Sequence, residues 1–367
     1  MKRKDCLPVL NETIIKTDKK IYLELLRVIA CFFVIVNHTA NGITCVFFEG
    51  PNYFFASMML CMSRIAVPIF LMISGAVLIP KEESIEAQIK RLVHMMLVFI
   101  GASLIYYLKY IGEMNGSFSV RDFFYIIYTG NVTNAFWYMY LYFALLIMLP
   151  ILRIIAKGIV NNNLYKIYFV IWVIFFSIIP ALCKQFEIVE YTSDFNLSLL
   201  SGYVVYFIAG YIIDSHLNRK NIRKIYSLIG AFSFIVGGVL DGIIWYYMSK
   251  NNIGCYLFDN INYFMVAIPA FIIFYSFYFL EPVNVRTRQV ISTLGGLTFG
   301  TYLLSDLLID KLWPVYEKAM TKHEVFISMV IYELSVLVVG MIITMIVLVV
   351  KYCGGSLLST ISSGRNK

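Results

Sequence analysis

Arg27, His38 and Arg64 stand inside long apolar runs of this 367-residue chain. A charge there is costly, and it marks a functional site by default. The run YLELLRVIACFFVIVNHTAN carries the first two, eleven residues apart. On a helix that spacing is about 1100° of rotation, about 20° from the same face, and about 16 Å of rise. One stripe thus holds a permanent cation at one level and an imidazole at another. Arginine keeps its charge and donates a planar fork to phosphate or carboxylate. Histidine exchanges protons near neutral pH. The bland alternatives are a core histidine with satisfied nitrogens and an arginine snorkelling to the interface. Asn37 beside His38 and Glu24 three residues before Arg27 favour the functional reading, although Glu24 is equally an i,i+3 partner for Arg27.

Arg64 lies in SRIAVPIFLMISG. Pro68, four residues on, cannot donate to the Arg64 carbonyl, so a kink is expected, and Ser74-Gly75 lets another helix approach closely. The buried cation belongs either to the site or to an internal ion pair with a buried acid. Asp241, Asp306 and Glu333 are the available acids, all at about the depth of His38. A carboxylate beside an imidazole fixes its tautomer and stabilises its protonated form. Asp306, in LTFGTYLLSD with Ser305 adjacent, is the favoured partner of His38, and pairing with Arg64 is its alternative. The segment FWYMYLYFALLIMLPILR opens on Trp137, Tyr138 and Tyr140. These suit an aromatic belt at the membrane interface, with a sugar-stacking platform as the second reading.

The elements that position these residues follow from composition. Hydrophobic residues make up 60% of the chain and charged residues 14%, with mean hydropathy +0.77. That excludes an ordinary soluble domain and a disordered chain. The apolar runs are continuous rather than alternating, which disfavours a β-barrel. The expected fold is all-α, a polytopic membrane bundle of about ten transmembrane helices. They run over 21–43, 54–79, 88–111, 135–156, 164–183, 198–216, 225–249, 258–280, 290–312 and 325–351. The domain plan is a tail over 1–20, a transmembrane domain over 21–352 and a second tail over 353–367.

Of the 30 Lys and Arg residues, 21 fall in the tails and the loops on the tails' side, and 7 on the opposite side. That bias puts both termini in the cytoplasm. The polar first twenty residues do not resemble a signal peptide. Residues 112–134 then form the longest external connection, rich in aromatic residues that suit an interfacial position. The net charge of +8 is dispersed among short loop clusters, so no nucleic-acid partner is expected. Seven cysteines without a C-x-x-C pair suggest neither a metal site nor a disulfide framework. No phosphate loop, nucleophile elbow or H-E-x-x-H is present.

Taken in order over roughly residues 20–350, Arg27-x10-His38, SRIAVPIFLMISG, FWYMYLYFALLIMLPILR and LTFGTYLLSD resemble the acyltransferase 3 family of bacterial membrane proteins. The resemblance implies an O-acyltransferase of the bacterial cytoplasmic membrane. It would move an acyl group, acetyl being the expected one, from cytoplasmic acyl-CoA to a hydroxyl of an extracytoplasmic glycan or cell-envelope acceptor. Acyl-CoA is then a substrate, with no permanently bound cofactor. His38 would be the catalytic histidine, with Arg27 and Arg64 on the donor side.

Two departures stand out. Many members carry a histidine just before the tryptophan of the fourth span, where this chain has Asn134, Ala135 and Phe136. Many also have a histidine at the position of Ser305. The family further resembles the membrane half of vancomycin-resistance serine racemases, but no racemase domain follows here. The alternative function is a transporter for a small polar metabolite such as an amino acid, with Gly237-Gly238 and Gly295-Gly296 as candidate helix breaks. A purely structural partner for a polysaccharide synthase is a weaker third reading.

Overall fold

The computed structural model describes residues 20–46, 50–130, 132–180, 183, 202–216, 225–251, 270, 272–274, 284–320 and 325–364. Among them there is no strand. The helices are α1 (Ile21–Val46), α2 (Gly50–Ser63), α3 (Ala66–Leu78), α4 (Ile85–Met114) and α5 (Val120–Thr129). They continue with α6 (Trp137–Asn161), α7 (Asn163–Val173), α8 (Gly202–His216), α9 (Ile225–Lys250), α10 (Val285–Met320) and α11 (Val325–Gly364). The all-α expectation therefore holds.

Among the described residues six stretches are long and apolar enough to cross a membrane: Ile21–Ala40, Asn52–Leu78, Ile85–Met114, Asn134–Asn161, Leu228–Lys250 and Val325–Lys351. Two shorter apolar helical stretches, Asn163–Phe176 and Gly202–Ser215, coincide with the fifth and sixth expected runs. The ninth run lies within α10, whose charged residues dilute its hydropathy. The eighth, 258–280, lies outside the described residues except for 270 and 272–274.

α1 is the structural centre. It packs on α2, α3, α10 and α11, and its Leu26, Ala30, Ile35 and Val36 are fully buried. The long outer helices show the opposite pattern. Leu97, Ile105, Ile154, Ile346 and Val347 are at least 48% exposed, as suits a surface whose solvent is lipid.

The kink expected at Pro68 is present. Helix α2 stops at Ser63, a turn carries Arg64 and Ile65, and α3 begins at Ala66. The Arg64 amide donates to the Cys61 carbonyl at 3.2 Å, a three-residue turn in place of the helical ladder. Further along, α3 and α8 meet backbone to backbone. A Cβ on Gly75 would collide with the Phe207 carbonyl, and one on Gly210 with the Met72 carbonyl. These reciprocal glycines let the two helices touch, the role of small residues in membrane bundles.

The glycine pairs do not break their helices. α9 runs unbroken through Gly237-Gly238 and α10 through Gly295-Gly296. Gly238 instead makes room for Met62, and Gly295 for the Glu24 side chain. The helix breaks that would have favoured a transporter are absent at both pairs.

The 112–134 connection contains a helix of its own, α5. Ser119 caps it, its hydroxyl accepting from the Asp122 amide at 3.3 Å, and the Phe123 ring packs on Tyr107. Ten residues are too short to register among spans, and no helix is expected there from the apolar runs.

Candidate active site

Where α1, α3, α6 and α10 converge they enclose a cavity of about 350 Å³. Arg27, Asn37, His38 and Arg64 all line it, so the single-stripe reading of α1 and the expectation for the kinked helix lead to one place. Arg27 is 28% exposed at its side chain, and its Nη1 donates to Glu24 Oε1 at 2.5 Å. Glu24 is buried, wedged against Gly295, and supplies a counter-charge within the same helix. Such pairing is what makes an intramembrane guanidinium tolerable. At the other level Ser63 Oγ donates to Asn37 Oδ1 at 3.4 Å, tying α2 to α1 beside the imidazole.

His38 Nδ1 stands 3.7 Å from Asp306 Oδ1. The other carboxylate oxygen of Asp306 is fully engaged: Thr133 Oγ1 donates to Oδ2, and so does the Ala135 amide at 3.1 Å. Tyr302 holds that same segment, its hydroxyl donating to the Ala135 carbonyl at 2.5 Å. Tyr106 braces the next turns of α10, donating to the Leu303 carbonyl at 3.0 Å and accepting from the Leu307 amide at 3.1 Å. Asp306 is therefore fixed on one side and free to address the imidazole on the other. At 3.7 Å the carboxylate faces the imidazole as an ion-pair neighbour, beyond direct hydrogen-bond distance.

The remaining acids lie elsewhere. Glu333 is fully buried in α11, and its Oε1 accepts from Thr39 Oγ1 at 3.0 Å, one residue past His38 but not in the cavity wall. Asp241 is buried in α9; like Glu333 and Asp306 it stands outside the cavity wall, and of the three Asp306 is the acid set beside His38. Ser305 is fully buried and donates to the Tyr302 carbonyl at 2.8 Å, so its hydroxyl is spent within its own helix.

The aromatic-belt reading of the fourth span is corrected. Trp137 and Tyr138 line the cavity, and Tyr140 donates to the Ile127 carbonyl at 2.6 Å. The Trp137 ring meets Tyr203 at 5.9 Å, and Tyr138 meets Tyr302 edge-on at 6.1 Å. The correction holds for Trp137 and Tyr138, which enter the inner wall just after the short 3₁₀ turn Asn134–Phe136, whereas Tyr140 is not a wall residue. Thr133, Tyr142 and Tyr302 were not singled out from the sequence. Nothing in their spacing marks them, because they meet the site only through tertiary packing.

Beyond the Arg27 end, the α3–α4 connection is clamped. Glu83 accepts from Arg153 Nη2 at 2.9 Å and also from Arg91 Nη2, while Arg153 Nη2 donates to the Leu78 carbonyl at 2.8 Å. Partial burial works against ionisation of Glu83. The hydrogen bonds and charges of Arg91 and Arg153 outweigh it and hold the carboxyl below its ordinary range. Among the described residues no cluster of three or more metal-ligating side chains occurs.

Neither the curated proteins nor the solved structures contain a match to this chain. A family model described as an acyltransferase domain does match, over residues 20–352. That span takes in every wall of the cavity, and it makes the chain a member of the acyltransferase 3 family, membrane enzymes that transfer acyl groups.

Proposed function

We propose that the chain is a membrane O-acyltransferase carrying an acetyl group from cytoplasmic acyl-CoA to a hydroxyl of an extracytoplasmic glycan or cell-envelope acceptor. It would sit in a bacterial cytoplasmic membrane with ten spans and both termini cytoplasmic. One observation carries the reading: a single cavity joins Arg27, Arg64 and His38. A donor entering at the Arg27 level and an acceptor entering at the His38 level would meet inside the bundle.

In this reading Arg27 orients the anionic donor, and Arg64 stabilises the pantetheine end or the oxyanion that forms at the thioester carbonyl. His38 takes the proton of the acceptor hydroxyl, and Asp306 stabilises the resulting imidazolium. The hydroxyl oxygen attacks the thioester carbon. The carbon–sulfur bond breaks, and the CoA thiolate leaves with the proton from His38. Trp137 and Tyr138 offer ring faces of the kind that stack on sugars.

The test is binding of acetyl-CoA and CoA to the detergent-purified protein, with Arg27→Ala beside it. Saturable binding that the substitution abolishes supports the enzyme. A folded protein that binds neither ligand removes the donor from the scheme.

A further inference from the structure

The helix α5 has two contrasting faces. Outward it is apolar: Val120, Phe124, Tyr125 and Tyr128 are 60%, 53%, 65% and 89% exposed. On a helix these four fall within an arc of about 140°, with Arg121 among them. Phe118 before α5 is also exposed, as are Leu108 and Met114 of α4, a helix long and apolar enough to cross a membrane. α4 ends at Met114 and α6 begins at Trp137, so α5 is tied by short connections to the ends of two spans. That places it at the membrane surface.

Inward, α5 is tied to α4 and α6. Tyr107 donates to the Ser119 carbonyl at 3.2 Å at its start, and Tyr140 donates to the Ile127 carbonyl at 2.6 Å near its end. Four residues beyond Thr129 comes Thr133, which with the Ala135 amide grips Asp306.

We propose that α5 is an in-plane membrane anchor, and that its seat in the bilayer surface maintains the grip of Thr133 and Ala135 on Asp306. The occupant of the patch is lipid, at the boundary between headgroups and acyl chains. Tyrosine rings with polar tips and an arginine beside them suit that boundary. The lipid-facing flank of α4 delivers α5 to it. Thr133 is then a positioning residue, acting on His38 only through Asp306. The inference rests on the pairing of Asp306 with His38, but its test requires no turnover and no acyl-CoA. It can therefore fail while the enzyme reading stands, and the reverse.

The full chain is reconstituted in phosphatidylcholine–phosphatidylglycerol vesicles with and without brominated acyl chains. Tyr128→Trp adds an indole, read as the fluorescence difference from the parent, which has four tryptophans. Loss of that difference signal in brominated vesicles, with shielding from aqueous acrylamide, is the expected result. Quenching by acrylamide alone overturns the anchor. Shielding that appears only when a soluble glycan is added also overturns it, and marks the patch as a sugar platform.

The coupling is read by amide exchange in the same vesicles. In a Phe124→Ser, Tyr125→Ser, Tyr128→Ser triple variant, exchange at Ala135 should accelerate by about tenfold while α1 and α10 keep theirs. Unchanged exchange at Ala135 refutes the coupling. If α1 and α10 also open, Tyr128→Ser alone replaces the triple variant under the same criteria.

Discussion

His38 and Asp306 come within 3.7 Å of each other from helices at opposite ends of the chain, and only one carboxylate oxygen is turned to the imidazole. The other is committed to Thr133 and Ala135. The acid thus has its orientation set before the base is considered, which separates the two roles experimentally.

Replacing His38, the proposed base, is the direct test. His38→Ala should leave a folded protein whose acyl transfer falls about 10²–10⁴-fold, the usual worth of general-base assistance. Turnover of a defined acyl-CoA with an acceptor extract, compared at equal thermal midpoint, checks it. A variant that retains most of its turnover removes His38 from the mechanism.

Asp306→Asn keeps an oxygen that can accept from Thr133 and Ala135 but removes the negative charge facing His38. The thermal midpoint should stay near the parent's while acyl transfer drops about 10²-fold or more. Equal loss of folding and activity would make Asp306 structural.

Adjacent glycines on α10 should behave differently on substitution. Gly295→Ala drives a methyl into the Glu24 side chain, which holds Arg27, and should destabilise the protein by about 1–3 kcal/mol. Gly296→Ala meets nothing within 4 Å, although Gly296 lines the cavity. Its fold should be unaffected. Thermal unfolding of both variants in one detergent decides the matter, and similar midpoints would contradict the packing described.

Glu83 links stability to acid. Its folded-state carboxyl ionises below its ordinary range, so the clamp on Arg91 and Arg153 is complete above the ordinary carboxylate value. It weakens as pH falls through the depressed folded value, because the unfolded chain then binds the proton more readily. Thermal midpoints measured between neutral and acidic pH should therefore fall less steeply for Glu83→Gln than for the parent. Parallel curves would show that the clamp adds nothing.

Much of the scaffold was legible from hydropathy alone. The runs around 21–43, 54–79, 88–111 and 325–351 reappear as helices because a membrane demands long apolar segments with internally satisfied backbones. The kink at Arg64 was readable because proline removes a donor at a fixed offset. The position of Arg27 and His38 on one stripe was readable because helical geometry is rigid over eleven residues. What needed the fold was everything spanning distant segments. Nothing in NVTN points Thr133 toward Asp306, which is 173 residues away. Tyr138 passes for a belt residue until the 3₁₀ turn rotates it inward. Among three acids of similar depth, helix rotation and packing separated Asp306 from Asp241 and Glu333, and neither can be computed from one span in isolation.

The pairing of Glu24 with Arg27 also bears on how the chain is made. α1 leaves the ribosome well before α10 and α11, against which it packs. Through most of synthesis its polar side chains face the bilayer without the partners of the finished bundle. Arg27 needs none of them, because its counter-ion is one turn away on the same helix and travels with it. The pair can enter the membrane as a unit of near-zero charge. His38 differs, because the acid it faces arrives only with α10.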